Sequence, residues 1–350
     1  MTQPRIYLDH AATTPVWPEA TAAITAELGR WHNPSSPHAE GRAARAALEQ
    51  ARARVGEALG WDGEIIFTAG ASEALGIALR RAHAGPRFVS AVEHDAVFRC
   101  APGAERLPVD SGGIVSLDSV GVERPLIAVQ HANNETGILQ PLEAIFDRVR
   151  ALGGMLLADC AQSAGKLPLP PADFITLSAH KFGGPPGVGA LLVRDLALLE
   201  PTGGQEQGYR QGTENLPGIV GMAAALSAGH EWMECAVALR ARLETALVEA
   251  GAEIVGEGSQ RIATIGMYRM PGVAANIQLV QFDLAGIAVS SGSACSSGSL
   301  KQGHVLAAMG WGQARASEVV RVSFSRSTTE AEVDRFAALW AQLAARQRAA

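Results

Sequence analysis

The sequence predicts an α/β protein: a large domain on a mostly parallel sheet, and a smaller domain after it. Three observations carry this reading. Apolar runs rich in strand formers alternate with helix-periodic stretches over about 180 residues, the signature of strand–helix–strand units. The pattern changes after about residue 234, where further strands follow without that alternation. A length of 350 residues is enough for a large core and two domains.

The predicted strands of the first part are EIIFT (64–68), RFVSAV (87–92), PLIAVQ (125–130), MLLAD (155–159), FITLSA (174–179) and GALLVR (189–194). Helical periodicity fits 39–59, 72–83, 141–151 and 217–250. The second part offers RIATIGMY (261–268), GIAVSS (286–291) and VVRVSFS (319–325) as strands, closed by a helix from Thr328. No internal repeat or low-complexity linker interrupts the chain, so the 217–250 helix reads as the bridge. The large domain is then 16–234, and the small one 1–15 with 235–350.

Composition narrows the function. The chain is 47% apolar and 18% charged, with a net charge of −6. That balance gives no electrostatic reason to expect nucleic acid or an anionic membrane as partner. No apolar run reaches the roughly 18 residues of a membrane helix. The N-terminus lacks the basic start and apolar stretch of a secretion signal. Cys100, Cys160, Cys235 and Cys295 show no metal-ligand spacing, so no metal is expected and a reducing cytoplasm is the simplest setting.

Lysine is rare: of 29 Lys and Arg, only Lys166, Lys181 and Lys301 are lysine. Lys181 follows a strand and precedes a Gly/Pro-rich turn, where a backbone can approach a ligand closely. It fits a Schiff-base lysine and a solvent-facing loop lysine equally well. Asp159 ends an apolar strand, where ligands of α/β sheets bind and an unpaired carboxylate is costly. It suits a protonated ring nitrogen or an ordinary helix cap. Gly70, Ala71 and Ser72 lead from a strand into a helix, an anion site for phosphate or plain capping by Ser72 and Glu73. His94 follows another strand, as a structural histidine also would. Asn133 and Asn134 sit beside a turn that they either stabilise or use to meet a polar ligand. Cys295 stands among small residues in SSGSACSSGS (290–299), as a loop thiol or as a nucleophile on an arm. One strand-end cluster of Lys, Asp, His, Asn and Gln beside a helix N-terminus favours a shared site.

These residues carry a resemblance. From IYLDHAATTP at residue 6 to VRVSFSRSTTEAEVD at 334, the chain resembles the cysteine desulfurases of the NifS/IscS kind. These belong to the class V aminotransferase group of fold-type I enzymes of pyridoxal 5′-phosphate (PLP). Between those ends come NPSSPHAEGR, FTAGASE, VEHDAV, HANNETG, ADCAQSAGKLP, SAHKFGGPPGVGAL, YRQGTENLPGIVG and SSGSACSSGSL, in the family's order. The resemblance implies an aspartate aminotransferase-like fold with a seven-stranded type of sheet, PLP as cofactor, and a homodimer.

It also implies roles. Lys181 would hold PLP and shuttle a proton. Asp159 would pair with the ring nitrogen, Gln162 with the ring hydroxyl, and His94 would stack on the ring. Ala71 and Ser72 amides, with Ser72, Ser178 and His180 side chains, would cradle the phosphate, and Thr213 would reach it from the second subunit. Asn134, Arg321 and Asn33 would bind the substrate, L-cysteine. Cys295, on a loop of about 290–303, would take the sulfur as a persulfide for an acceptor protein serving iron–sulfur or thio-cofactor assembly. Selenocysteine cleavage or another class V reaction, and a non-catalytic sulfur-trafficking scaffold, are the competing readings. The chain is shorter than better-known members around 99–124, 195–205 and 250–275. It also has Ser72 and Gly76 where the family usually has threonine and asparagine.

Overall fold

The computed structural model describes residues 5–30, 32–292 and 303–349. The chain opens with β1 (Ile6–Tyr7), α1 (Pro18–Leu28), α2 (Ala39–Leu59), β2 (Glu64–Thr68), α3 (Ala71–Arg81), β3 (Arg87–Ser90), α4 (Asp95–Cys100) and β4 (Glu105–Leu107). It continues through β5 (Leu126–Gln130), α5 (Leu142–Ala151), β6 (Met155–Asp159), β7 (Phe174–Ser178), β8 (Gly189–Val193), α6 (Leu216–Ser227) and α7 (Met233–Glu249). The last third holds β9 (Glu253–Ile254), β10 (Ile265–Arg269), α8 (Ala275–Leu284), β11 (Ile287–Ala288), α9 (His304–Ala308), α10 (Gln313–Ala316), β12 (Val319–Ser323) and α11 (Glu330–Ala349).

A 7-stranded sheet in the order β2-β8-β7-β6-β5-β3-β4 forms the centre. β8 runs antiparallel to both neighbours, and the other pairings are parallel. Its central strands are continuous apolar runs because both faces are covered. In β5, Ile127 and Val129 enter one core with α2 and α6, while Leu126 and Ala128 enter the other with α3. α2 reaches its core through Ala44, Leu48, Ala51 and Val55, one helical stripe. Gly60 then ends α2 in the left-handed conformation, φ 63°.

Each predicted strand of this sheet forms, trimmed by up to two residues at its ends. β4 is an addition the sequence does not announce, since Glu105 and Arg106 are exposed on this edge strand. The predicted 217–250 helix is corrected to two, α6 and α7. Gly229 breaks it with φ 81°, a conformation a helix cannot carry.

The remaining strands form two small sheets. β12-β10-β9 is antiparallel, and β1 pairs in parallel with β11, far along the chain. The predicted strand 261–268 shrinks to β10, and 286–291 to β11. The core here joins Leu239, Leu243 and Leu247 of α7 to Tyr268, Phe282, Phe336 and Trp340. α11 begins just after Thr329, whose hydroxyl accepts from Glu332 N–H at 3.3 Å while Glu332 accepts from Thr329 N–H at 2.8 Å, a capping box. Among the described residues no helix is long and apolar enough to cross a membrane.

Candidate active site

A cavity of about 520 Å³ opens at the carboxyl ends of the parallel strands, where α/β sheets bind ligands. Lys181, Asp159, Gln162, His94, Ala71, Ser72, Ser178, His180, Asn134 and Arg321 all line it. Sequence positions far apart meet here because β2, β3, β5, β6 and β7 all end at this edge. Asn33 and Thr213 are exposed and lie outside its lining. Cys295 falls outside the described residues, as does the 290–303 loop apart from 290–292 and 303.

Lys181 sits in the turn after β7. Its Nζ donates to the carbonyls of Ala11 and Ala12, at 2.7 and 2.9 Å. The solvent-facing alternative therefore fails for this lysine. Asp159 ends β6, with Oδ1 accepting from Ala161 N–H at 3.0 Å and Thr176 O–H at 3.1 Å. No helix follows, so the cap reading reduces to a turn bond. Burial raises the Asp159 carboxyl, while those donors, His94 and Lys181 pull it back.

His94 serves both readings at once. Its Nδ1 accepts from Ala96 N–H at 3.2 Å, capping α4, while the ring lines the cavity. Burial lowers its pKa, and a neutral ring with Nδ1 accepting carries its proton on Nε2. Asn133 and Asn134 divide the same way. Asn133 Oδ1 accepts from Glu135 N–H, Thr136 N–H and Thr136 O–H, holding the turn, and Asn134 faces the cavity.

α3 is preceded by Gly70 at its N-cap, whose φ of 148° only glycine adopts easily. The first amides of α3 thus meet the cavity, with a helix dipole behind them. His180, beside Thr13 Oγ1 at 3.2 Å, is held near pKa 4 by burial and then by Lys181. Gln162 donates through Nε2 to Ala11 O at 2.9 Å, and its buried Oε1 has no partner among the described residues. Arg321 donates from Nη1 to Asn134 O and from Nη2 to Asp9, both at 2.8 Å. Its buried Nε is unpartnered among the described residues.

Several neighbours escape sequence reasoning. Glu93 is fully buried, accepts from Gln130 N–H at 2.8 Å, and is raised well above the carboxylate range by burial and by Asp159. Glu135 is raised to about 8 by burial. Lys166, buried behind the site, is lowered to about 7 by burial and by Lys181. The signal available for Glu93 and Glu135 was adjacency to His94 and Asn134; for Lys166 it was only the scarcity of lysine.

The profile of the aminotransferase class-V family matches residues 6–336. A curated protein named cysteine desulfurase, from Cereibacter sphaeroides, is 37% identical over 365 residues, covering 95% of this chain and 93% of its own. The X-ray structure of a NifS-like protein from Rickettsia africae is similar with a TM-score of 0.89 at 30% identity, covering 97% of this chain and 99% of the other. A structure of SspA in complex with cysteine is similar with a TM-score of 0.80 at 29% identity, covering 93% of this chain and 100% of the other.

Proposed function

Because the chain belongs to the class-V aminotransferase family, we propose that it is a PLP-dependent cysteine desulfurase, converting L-cysteine to L-alanine and a transferable sulfur. The observation that carries this reading is the convergence of Lys181, Asp159, His94, Gln162 and the start of α3 on one cavity.

The residues fit PLP. A strand-end carboxylate, an amine, a buried amide oxygen without a partner among the described residues and a helix N-terminus match a pyridinium, an aldehyde, a ring hydroxyl and a phosphate. PLP, when bound, supplies an electron-poor ring that stabilises negative charge at the substrate's α-carbon. Lys181 Nζ holds the group and moves the α-proton. Asp159 keeps a positive charge opposite its carboxylate. His94 covers the ring and offers its Nε2 proton. Ala71, Ser72, Ser178 and His180 hold the phosphate. Arg321, which lines the cavity, takes the substrate's carboxylate beside Asn134. Asn33 is an accessory substrate contact.

Cys295 receives the sulfur as a persulfide and passes it to an acceptor protein for iron–sulfur cluster or thio-cofactor assembly. Thr213, exposed on its own chain, completes the phosphate site of a second copy in a homodimer. Residues 16–234 act as the cofactor-binding domain, and 1–15 with 235–350 as the small domain, a division supported by the separate core around Trp340. The free thiols of Cys100, Cys160 and Cys235 support a cytoplasmic setting.

Two variants test the reading. Lys181→Ala is expected to lose the visible absorbance band of bound PLP; an unchanged band would contradict its role. Cys295→Ser is expected to keep the band and lose persulfide formation; alanine release at the wild-type rate would contradict its role as sulfur acceptor.

A further inference from the structure

Glu135 is a buried carboxyl that none of the roles above uses. It is 5% exposed, and its Oε2 has no hydrogen-bond partner among the described residues. It follows Asn134 in the turn after β5, where Asn133 fixes its backbone. Gly292 packs directly on it: a Cβ there would fall 2.5 Å from Glu135 Oε2 and 2.5 Å from the terminal carbon of Met267. Gly292 and Arg321 both line the cavity.

The charged neighbours are few. Arg321 of β12 is the group whose field reaches Glu135. Asp9 is the only described carboxylate within ion-pair distance of Arg321, at 2.8 Å. β10 presents the uncharged Met267, and the turn presents Asn133 and Thr136. An ionised carboxylate near a guanidinium with a spare N–H gains by pairing with it. Here Arg321 Nε and Glu135 Oε2 are both buried and, among the described residues, unpartnered instead. Burial outweighs the pull of Arg321 on the Glu135 carboxyl, which rises to about 8.

The charge balance gives that state a use. Arg321 and Asp9 together are neutral. A bound substrate carboxylate brings one excess negative charge into this buried corner, and an ionised Glu135 would add a second. We propose that Glu135 is a positioning residue for the amino-acid substrate: as the uncharged acid it leaves the Arg321 guanidinium to the substrate's carboxylate, and as the carboxylate it competes for it. This rests on the amino-acid reaction proposed above.

The probe is L-alanine, which has no thiol to titrate in the same range. Its affinity is read from the cofactor absorbance of wild-type and Glu135→Gln holoenzyme at about pH 7 and about pH 9. The amine of the probe titrates alike with both proteins, so the ratio of affinities isolates Glu135. Between the two pH values, wild-type affinity is expected to fall on the order of tenfold more than that of the variant. An equal fall in both would overturn the inference. A wild type that gives no spectral response to the amino acid at either pH would overturn the underlying reaction, and the inference with it. Should that variant fail to fold, Glu135→Ala replaces it in the same comparison: wild-type affinity is again expected to fall on the order of tenfold more between the two pH values than that of the variant, and an equal fall in both would overturn the inference.

Discussion

Asp159 sits at the end of β6 with one oxygen already engaged by Ala161 and Thr176, and its burial disfavours the charge it is proposed to carry. A cation held opposite it would reverse that preference. Asp159→Asn keeps the shape and removes the charge, so alanine release is expected to fall by about 10²-fold or more in steady-state assays; a variant within twofold of wild type would show that the carboxylate is not needed. Local sequence showed which side chains end strands, and nearly all of them reach the cavity. It could not show which carboxyls stay neutral. Glu93 and Glu135 differ from surface glutamates only in what the folded chain packs around them. His94 and the Asn133–Asn134 pair gave ambiguous signals because the structure uses each for support and for the cavity together. Gly76 has no structural explanation: a Cβ there would lie 3.7 Å from the Cys100 sulfur, an ordinary contact.

At the level of elements, the strands of the large sheet other than β4 were legible because they are largely apolar on both faces, a pattern that a short run of sequence displays by itself. β4, β1 and β9 were not, being edge strands of two or three residues, and β1 pairs with the distant β11. The 217–250 stretch misled because its apolar periodicity continues on both sides of Gly229, and only the backbone turn separates α6 from α7. α11 shows the opposite case, where sequence and structure agree to within two residues at its start. Its capping box makes a direct test. Thr329→Ala removes the hydroxyl that accepts from Glu332, and is expected to lower unfolding stability by about 1 kcal/mol in denaturant titration. No change in the midpoint would show that the cap is not holding the helix start. Thr329 is not part of the cavity lining, so the loss should appear in stability rather than in cofactor binding.

Across the whole molecule, a continuous sheet gathers residues from 70 to 181 at one edge, and β12 adds Arg321 from the separate small sheet. Behind that edge the fold buries Lys166, whose amine falls from 10.5 to about 7. Between those values the unfolded chain binds a proton that the folded chain does not. Lys166 therefore makes stability climb with pH across that window, by about 1.4 kcal/mol per unit. Lys166→Met is expected to remove the climb, so its advantage over wild type is greatest near pH 7 and shrinks toward 10.5. A difference independent of pH, measured by unfolding at several pH values, would contradict a buried lysine that titrates in this range. The central claim concerns the reaction itself. The most direct measurement loads the wild type with PLP, adds L-cysteine, and quantifies L-alanine and dithiothreitol-released sulfide in one sample. Equal amounts of both are expected. A fully loaded protein that forms neither would contradict the desulfurase reading.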